Sequence, residues 1–541
     1  MRRFADLLDT LVLTPARNGK LKLMVDYFAT EPDPDRGYAL AALTRALDIA
    51  AVKPAMLRTL VAARMDAELF RLSYDYVGDL AETIALVWPV DRDADHRRRN
   101  DLPTLAEIVE TLQRTSRRDA PALVAGWLDL LDPSSRYALL KLVTGGFRIG
   151  LSARLAKQAL ADYGGVEVNA IEELWHGLKP PYADLFAWIE GKGAKPVNAA
   201  ASPFRPVMLS HAIEDADFLK LDPADFIAEW KWDGIRVQAT AERGVRRLYT
   251  RTGDDISAAF PDLVEALGFE GAIDGELLVA RPVGQDLAIG SFSDLQQRLN
   301  RKTVTSRMVR DFPAFLRAYD LLQAGSEDLR SLPFEARRAR LEDFSGSLDP
   351  RRFDCSPILP FETWDDLARL RAAPPEPIIE GVMIKRRRAP YLPGRPKGEW
   401  FKWKRDPYLI DAVLMYAQRG HGKRSGFYSD YTFGVWRGEN GTGELVPVGK
   451  AYFGFTDEEL KRIDQFVRDN TAERFGPVRA VRADAQTGLV FEVAFEGINQ
   501  SARHKSGVAM RFPRISRLRW DKPPAEADSL SSLTRLIRAT R

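Results

Sequence analysis

The chain has 541 residues, a length that fits roughly three or four domains rather than one. Hydrophobic residues make up 45% and charged residues 29%, which excludes a disordered chain and suits packed cores. Lys plus Arg number 79 against 76 Asp plus Glu, so the net charge is only +3 and any basic binding surface must be local.

The opening MRRFADLLDTLVL starts basic, but Asp6 and Asp9 break its apolar stretch, so no signal peptide is expected. No apolar run approaches membrane-spanning length. Up to about residue 195 the sequence reads as helical: PDRGYALAALTRALDIAA, DLAETIALVWPV, PTLAEIVETLQRT and SSRYALLKLVTGG carry apolar residues at three- and four-residue spacings. Asp101, Ser134 and Ser152 are candidate N-caps. The charged stretches 91–100 and 114–120 read as solvated loops; DNA contact is the other reading of their arginines.

Near 192–207 small residues and prolines mark a linker. From about 208 strands dominate: FIAEWKW, IRVQAT, RRLYTR, GAIDGELLVA, FLRAYDLL and IIEGVMIKR are short apolar or alternating runs. The single cysteine, Cys355, excludes a disulfide framework and a multi-cysteine zinc site, and fits a reducing cytoplasm, the expected location. Another change falls near 404–417. DYTFGVWRG, GELVPVGKAYFGF and GLVFEVAFEGI, around a helical stretch at 457–469, suit a small β-barrel.

The chemistry begins at EWKWDGIRVQ (229–238). Strand alternation puts Trp230 and Trp232 on one face and Glu229 and Lys231 on the other, just before an Asp-Gly turn and Arg236. A lysine amine is a nucleophile once its ordinary pKa of about 10.4 is overcome by desolvation or neighbouring cations. Alone, the decapeptide also reads as an amphipathic strand with an exposed lysine.

Downstream, Arg251 precedes a glycine turn, and Glu276 follows what reads as a second Asp-Gly turn. Tyr319 interrupts an apolar strand, and Glu380 lies at a buried strand end. Arg395 lies in a loop, and Lys402 and Lys404 share one strand face while Phe401 and Trp403 take the other. Singly, these residues are a core tyrosine, surface carboxylates and a solvated strand face. Together they supply a nucleophile, a base-stacking ring, two oxygen ligands for a metal and cations for phosphate.

This ordered set resembles the nucleotidyltransferase motifs of ATP-dependent DNA ligases, a superfamily shared with RNA ligases and mRNA-capping enzymes. RFPRISRLRWDK (511–522) is similar to the last ligase motif, with Arg511, Arg514, Arg517 and Lys522 as its basic positions. TGGFRIGLSARLAKQALA (144–161) resembles the signature of the helical DNA-binding domain of larger ligases, and implies duplex contacts for Arg148, Arg154 and Lys157. FADLLDTLVLTPARNGKLKLMVDYF resembles the start of bacterial ligases of the cisplatin damage response group.

The resemblance implies a multidomain α+β protein: a helical DNA-binding domain (1–200), an adenylation domain of antiparallel sheets with helices (201–407) and an OB-fold β-barrel (408–541). It implies that Lys231 attacks the α-phosphate of ATP to give a lysyl-AMP, that AMP passes to the 5′-phosphate of a DNA nick, and that the 3′-hydroxyl then displaces it. Glu229 would lie at the adenine end and Tyr319 would stack on the base. Arg236 and Arg251 would contact ribose or phosphate, Glu276 the ribose or a metal, and Lys402 and Lys404 the α-phosphate, with Arg395 nearby. Glu276 and Glu380 would hold Mg²⁺ (or Mn²⁺). The C-terminal basic residues would orient pyrophosphate and then withdraw, pivoting near 405–410.

Nicked duplex DNA is the expected partner of a monomer, with repair as the role and repair proteins as further partners. An RNA ligase or a GTP-using capping enzyme would share the lysine motif; an NAD-dependent ligase would bring a four-cysteine zinc module. A non-catalytic nucleic-acid-binding protein would need basic and aromatic surfaces but no nucleophilic lysine.

Overall fold

The computed structural model describes the chain apart from residues 78, 90–101, 148, 285, 300, 302, 420–426, 439–440, 476–477, 502–503 and 540–541. The expected cap Asp101 and the charged stretch 91–100 thus lie outside the described residues. The chain divides into two compact units, Met1–Lys404 and Arg405–Arg541.

The first unit opens with helices, from Arg2–Leu13 to Ala183–Ile189. Their apolar stripes meet in one core that includes Phe4, Phe28, Leu40, Ile84, Leu139 and Phe186. Ser152 caps the helix Ala153–Gly164, its side chain accepting from Leu155 N. Ser134 is not a cap. Pro133 takes the first helical position, so the cap falls one residue earlier on Asp132, which accepts from Ser135 N. The segment 192–207 is strapped down rather than slack: Arg205 N donates to Gln238 Oε1 at 2.6 Å, and Ser202 Oγ to Thr240 Oγ1 at 2.7 Å.

Two sheets follow. Their strands in chain order are β1 (His211–Ala212), β2 (Phe226–Trp232), β3 (Ile235–Glu242), β4 (Val245–Thr250), β5 (Gly271–Val283), β6 (Asp286–Ile289), β7 (Ala314–Ala324), β8 (Glu327–Asp328), β9 (Phe353–Cys355), β10 (Ile358–Leu359), β11 (Ile379–Arg386) and β12 (Trp400–Lys404). The first sheet runs β1-β12-β11-β2-β10; the second runs β4-β3-β5-β7-β8, with β6 on β5 and β9 on β7. The chain passes from one sheet to the other at Asp233–Gly234, between β2 and β3. Gly234 has no room for a side chain: a Cβ there would lie 2.4 Å from Leu277 O.

The two tryptophans of β2 face the core as alternation predicts. Phe226, Ala228, Trp230 and Trp232 pack with Val382, Ile384 and Phe401. The second Asp-Gly is not a turn. Asp274 and Gly275 lie inside β5, where Asp274 is buried against Arg236 and Gly275 lets β7 approach closely; a Cβ on it would lie 2.8 Å from Arg317 O.

The second unit contains β13 (Tyr408–Arg419), β14 (Tyr428–Trp436), β15 (Leu445–Ala451), β16 (Thr471–Phe475), β17 (Val478–Val481), β18 (Val490–Phe495), β19 (Gly497–Gln500), β20 (Val508–Arg511) and β21 (Arg514–Arg519). The order is β15-β14-β13-β17-β16, with β18 joining β13 to β21 and β19 pairing β20. Among the described residues no ladder closes this sheet into a barrel. The helix Asp457–Asp469, opened by a Thr456–Glu459 capping box, matches the helical stretch expected there. It packs Ile463 and Val467 against Tyr431, Phe433 and Phe491. Among the described residues no helix is long and apolar enough to cross a membrane.

Arg337 and Asp320 form a fully buried pair, with Nε to Oδ1 at 2.7 Å and Nη2 to Oδ2 at 2.9 Å. Asp320 follows Tyr319 in β7. Asp320→Ala strands a buried guanidinium and should destabilise the first unit by about 3–5 kcal/mol. Urea unfolding followed by tryptophan fluorescence checks this; a loss below about 1 kcal/mol, the range of an exposed pair, would refute it.

Candidate active site

Lys231 is the last residue but one of β2, which lies between β10 and β11. Gly381 of β11 is its cross-strand partner, and the register slips between Ile379 and Gly381. Glu380 occupies that slip, and its Oε2 accepts from Lys231 Nζ. A bulge re-aims a side chain in this way. Lys404 Nζ lies 3.9 Å from the same oxygen. Glu276 enters from the second sheet, where it pairs with Arg236 across β3–β5, and its Oε1 accepts from Gly234 N at 3.1 Å. The crossing at Asp233–Gly234 therefore brings a lysine and two carboxylates together.

Glu229 is buried on the Lys231 face of β2. Lys385 Nζ donates to its Oε2 at 2.7 Å and Arg338 Nη1 to its Oε1 at 2.9 Å. Its side chain is thus consumed internally, leaving only the backbone for a ligand. Lys385 Nζ also lies 4.5 Å from the Tyr319 ring centre, with Arg236 at 5.8 Å. Arg236 forms a fork on Asp274, at 3.0 and 2.6 Å, and donates to Met208 O at 2.7 Å. Tyr391 Oη donates to Asp274 at 2.6 Å. The Arg236 guanidinium is therefore committed to a protein carboxylate.

Lys385, Arg338, Asp274 and Tyr391 were not expected from sequence. Asp274 is two residues before Glu276, so alternation along one strand would have flagged it had Asp-Gly not been read as a turn. Lys385 becomes visible only once β11 is known to lie beside β2.

The electrostatics are uneven. Burial lowers the Lys402 ammonium, and Arg395, Lys404, Lys231 and Arg251 lower it further. Those cations therefore crowd one place, although Arg251 and Arg395 come from separate loops. Among the described residues Lys402, Arg251 and Arg395 have no carboxylate within ion-pair distance. Such a cluster has the charge to receive an anion. Burial pushes the Glu276 carboxyl up to about 8, with Lys231 and Arg236 opposing the shift and Glu380 adding to it.

Two family models match the chain: the ATP dependent DNA ligase domain over residues 207–404 and the ATP dependent DNA ligase C terminal region over 424–522. A "Probable DNA ligase" of Koribacter versatilis is 34% identical over 467 residues, covering 81% of this chain and 78% of the relative. The chain belongs to the ATP-dependent DNA ligase family. A "Probable DNA ligase" of Opitutus terrae is 30% identical, covering 99% of this chain and 62% of the relative. The solved structure named Pmar-Lig_PreS3 shares the fold, with a TM-score of 0.58 at 14% identity over 95% of this chain and 99% of that one.

Membership makes the chain an enzyme that uses ATP to seal nicks in duplex DNA. The readings as a capping enzyme or a non-catalytic binder fall away. Of the residues expected to touch DNA, Arg148 lies outside the described residues. Arg154 pairs with Glu172, and Lys157 Nζ lies 3.5 Å from the same carboxylate. In the second unit Lys522 pairs with Asp411 at 2.7 Å and Arg514 with Glu496 at 2.8 Å, while Arg517 is exposed and Arg511 lies 5.3 Å from the Phe512 ring centre.

A carboxyl raised by burial binds its proton more tightly folded than unfolded. Its contribution is present at low pH and is lost as pH rises through the folded value. The ligand-free Tm should therefore fall between the ordinary carboxylate range, about pH 4.3, and about 8. Glu276→Gln should flatten that decline; identical slopes in both proteins would refute the assignment.

Proposed function

We propose that the cations around Lys231 form the ATP site of this ligase and that Lys231 carries the AMP. What supports this reading most is that Lys402, Arg251 and Arg395, unpaired among the described residues, share their surroundings with a lysine held by a carboxylate. Lys231 Nζ attacks the α-phosphorus; the new P–N bond forms as the bond to pyrophosphate breaks. Glu380 Oε2, which accepts from Nζ, aims the amine and is the nearest acceptor for its proton. Lys402, Lys404 and Arg395 offset charge on the α-phosphate, and Arg251 reaches ribose or phosphate. Tyr319 supplies the stacking face, with the Glu229 backbone at the purine edge.

Arg236 acts through Asp274 and Tyr391 to hold the Tyr319 ring and orient the ribose end. In the second step the 5′-phosphate of the nick takes AMP from Lys231; in the third the 3′-hydroxyl attacks it and AMP leaves.

Among the described residues no group of three or more carboxylate, histidine or cysteine side chains gathers to hold a metal. Glu276 and Glu380 nevertheless fit Mg²⁺, or Mn²⁺, which takes one or two carboxylates together with phosphate and water. Bound there, the ion would neutralise charge on the phosphate oxygens. The finer domain reading is part of the same proposal: helical DNA-binding (1–200), adenylation (201–407) and OB-fold (408–541) domains in a monomer, acting in repair. The helical domain would contact the duplex backbone, Arg154 keeping an exposed edge for it. Arg511, Arg514, Arg517 and Lys522 would orient pyrophosphate.

Incubation with α-labelled ATP and Mg²⁺ should leave stable label on the protein and none on Lys231→Ala; label on the variant would refute the nucleophile. GTP and NAD should not substitute, and the labelled protein should seal a nicked duplex. Tyr319→Ala should weaken ATP by about 1–3 kcal/mol, the range of base–aromatic stacking, while Tyr319→Phe should not. The ATP dependence of self-adenylylation measures both, and equal behaviour of the two variants would exclude stacking.

A further inference from the structure

The loop that carries Arg251 rests on a residue from the helical part of the same unit. Thr250, Arg251, Thr252 and Gly253 form a tight turn after β4: Gly253 N donates to Thr250 O at 2.9 Å, and Thr250 N to Asp254 O at 2.9 Å. Gly253 has φ +87°, a left-handed conformation that favours glycine. A Cβ there would lie 2.5 Å from His176 Nε2 and 2.6 Å from His176 Cε1. His176 belongs to the short 3₁₀ turn Trp175–Gly177 that follows the helix Val168–Leu174. Its ring packs tilted against both Phe204 and Tyr249, with centres 4.9 and 5.6 Å away and interplanar angles of 59° and 58°. Tyr249 is in turn fixed by Oη donating to Ser202 O at 2.8 Å.

The imidazole is thus a wedge: held by two aromatic rings on one side, and by a glycine backbone with no spare volume on the other. Burial, with Lys157 adding to it, brings its pKa down to about 4, so the ring is neutral near pH 7 and packs as an uncharged body. Among the described residues Arg251 has no carboxylate within ion-pair distance, yet it is one of the cations that act on Lys402. Its place depends on its turn, and the turn depends on what lies beneath Gly253.

We propose that His176 is a positioning residue for ATP use: it fixes the Thr250–Gly253 turn so that Arg251 joins the phosphate-binding cations before DNA is engaged. This rests on Arg251 being a nucleotide contact. The helical part of the chain would then contribute to the first chemical step as well as to DNA binding.

The test is single-turnover self-adenylylation of the full chain with labelled ATP and Mg²⁺. The ATP concentration for half-maximal rate is read separately from the saturating rate and from the amplitude. Amplitude reports the folded fraction, so a variant that folds poorly still yields a half-saturation value. Arg251→Ala should raise that value. His176→Ala should raise it about fivefold or more, with the saturating rate within about twofold, because misplacing a binding group weakens ATP capture more than attack by Lys231. His176→Gln, which keeps reach and planarity, should recover most of the loss. Gly253→Ala should also raise the value, and by a smaller factor in the His176→Ala background, where the nearer obstructing ring is gone and only Phe204 Cδ1, 3.2 Å from that Cβ, still crowds it.

An unchanged value in Arg251→Ala overturns the reading of the pocket, and the proposal with it. A raised value in Arg251→Ala with an unchanged one in His176→Ala overturns the proposal alone, as does a His176→Ala defect confined to amplitude. Penalties of Gly253→Ala that are equal in both backgrounds would refute the steric link.

Discussion

The architecture of the site depends on one ion pair held by one irregular strand pairing. Lys231 and Glu380 face each other because β11 slips register between Ile379 and Gly381, leaving Glu380 aimed at its neighbour. A regular ladder would send that side chain to the other face. β2 is anchored by Trp230 and Trp232 in the core behind it, so the amine stands on a rigid strand rather than a loop. Glycine at 234 then lets the chain cross between the two sheets, and the crossing brings Glu276 to the same place.

Around this pair the molecule separates two uses of positive charge. Cations that build the fold are matched by carboxylates: Arg337 by Asp320, Arg298 by Asp262, Arg205 by Glu242, and Lys385 with Arg338 by Glu229. Pairing is what makes burial of such groups tolerable. Lys402, Arg251 and Arg395 lack such partners among the described residues and stand together. Their mutual repulsion is a cost the ligand-free protein bears, and in the proposed ATP site a bound triphosphate would remove it.

The helical and sheet-bearing parts of the first unit are more closely joined than composition implied. Small residues and prolines at 192–207 read as slack, but Ser202 and Arg205 bond to Thr240 and Gln238 of β3. Glu173 pairs with Arg330 at 2.5 Å, and Arg330 O accepts from Tyr391 N, the tyrosine that holds Asp274. Arg154 and Lys157 read as duplex contacts, yet both turn to Glu172. A basic residue near a glycine-rich helix start does not announce the carboxylate that a later helix will set beside it.

By itself the sequence determined the family and the class of chemistry and singled out Lys231 as the proposed nucleophile, because these rest on residue types in order along strands. The two-residue alternation of a strand placed Lys231 opposite the tryptophans and Lys402 with Lys404 before any contact was known. It determined the cap at Ser152 and the helix at 457–469 for the same reason: such signals are local. Only the tertiary structure decided that Asp274–Gly275 runs straight through β5, that Lys385 and Arg338 consume the Glu229 side chain, and that His176 lies beneath the Arg251 turn. Each of those depends on contacts between segments tens to more than a hundred residues apart, and side-chain pairing at such range leaves no period or spacing in a single chain to be read.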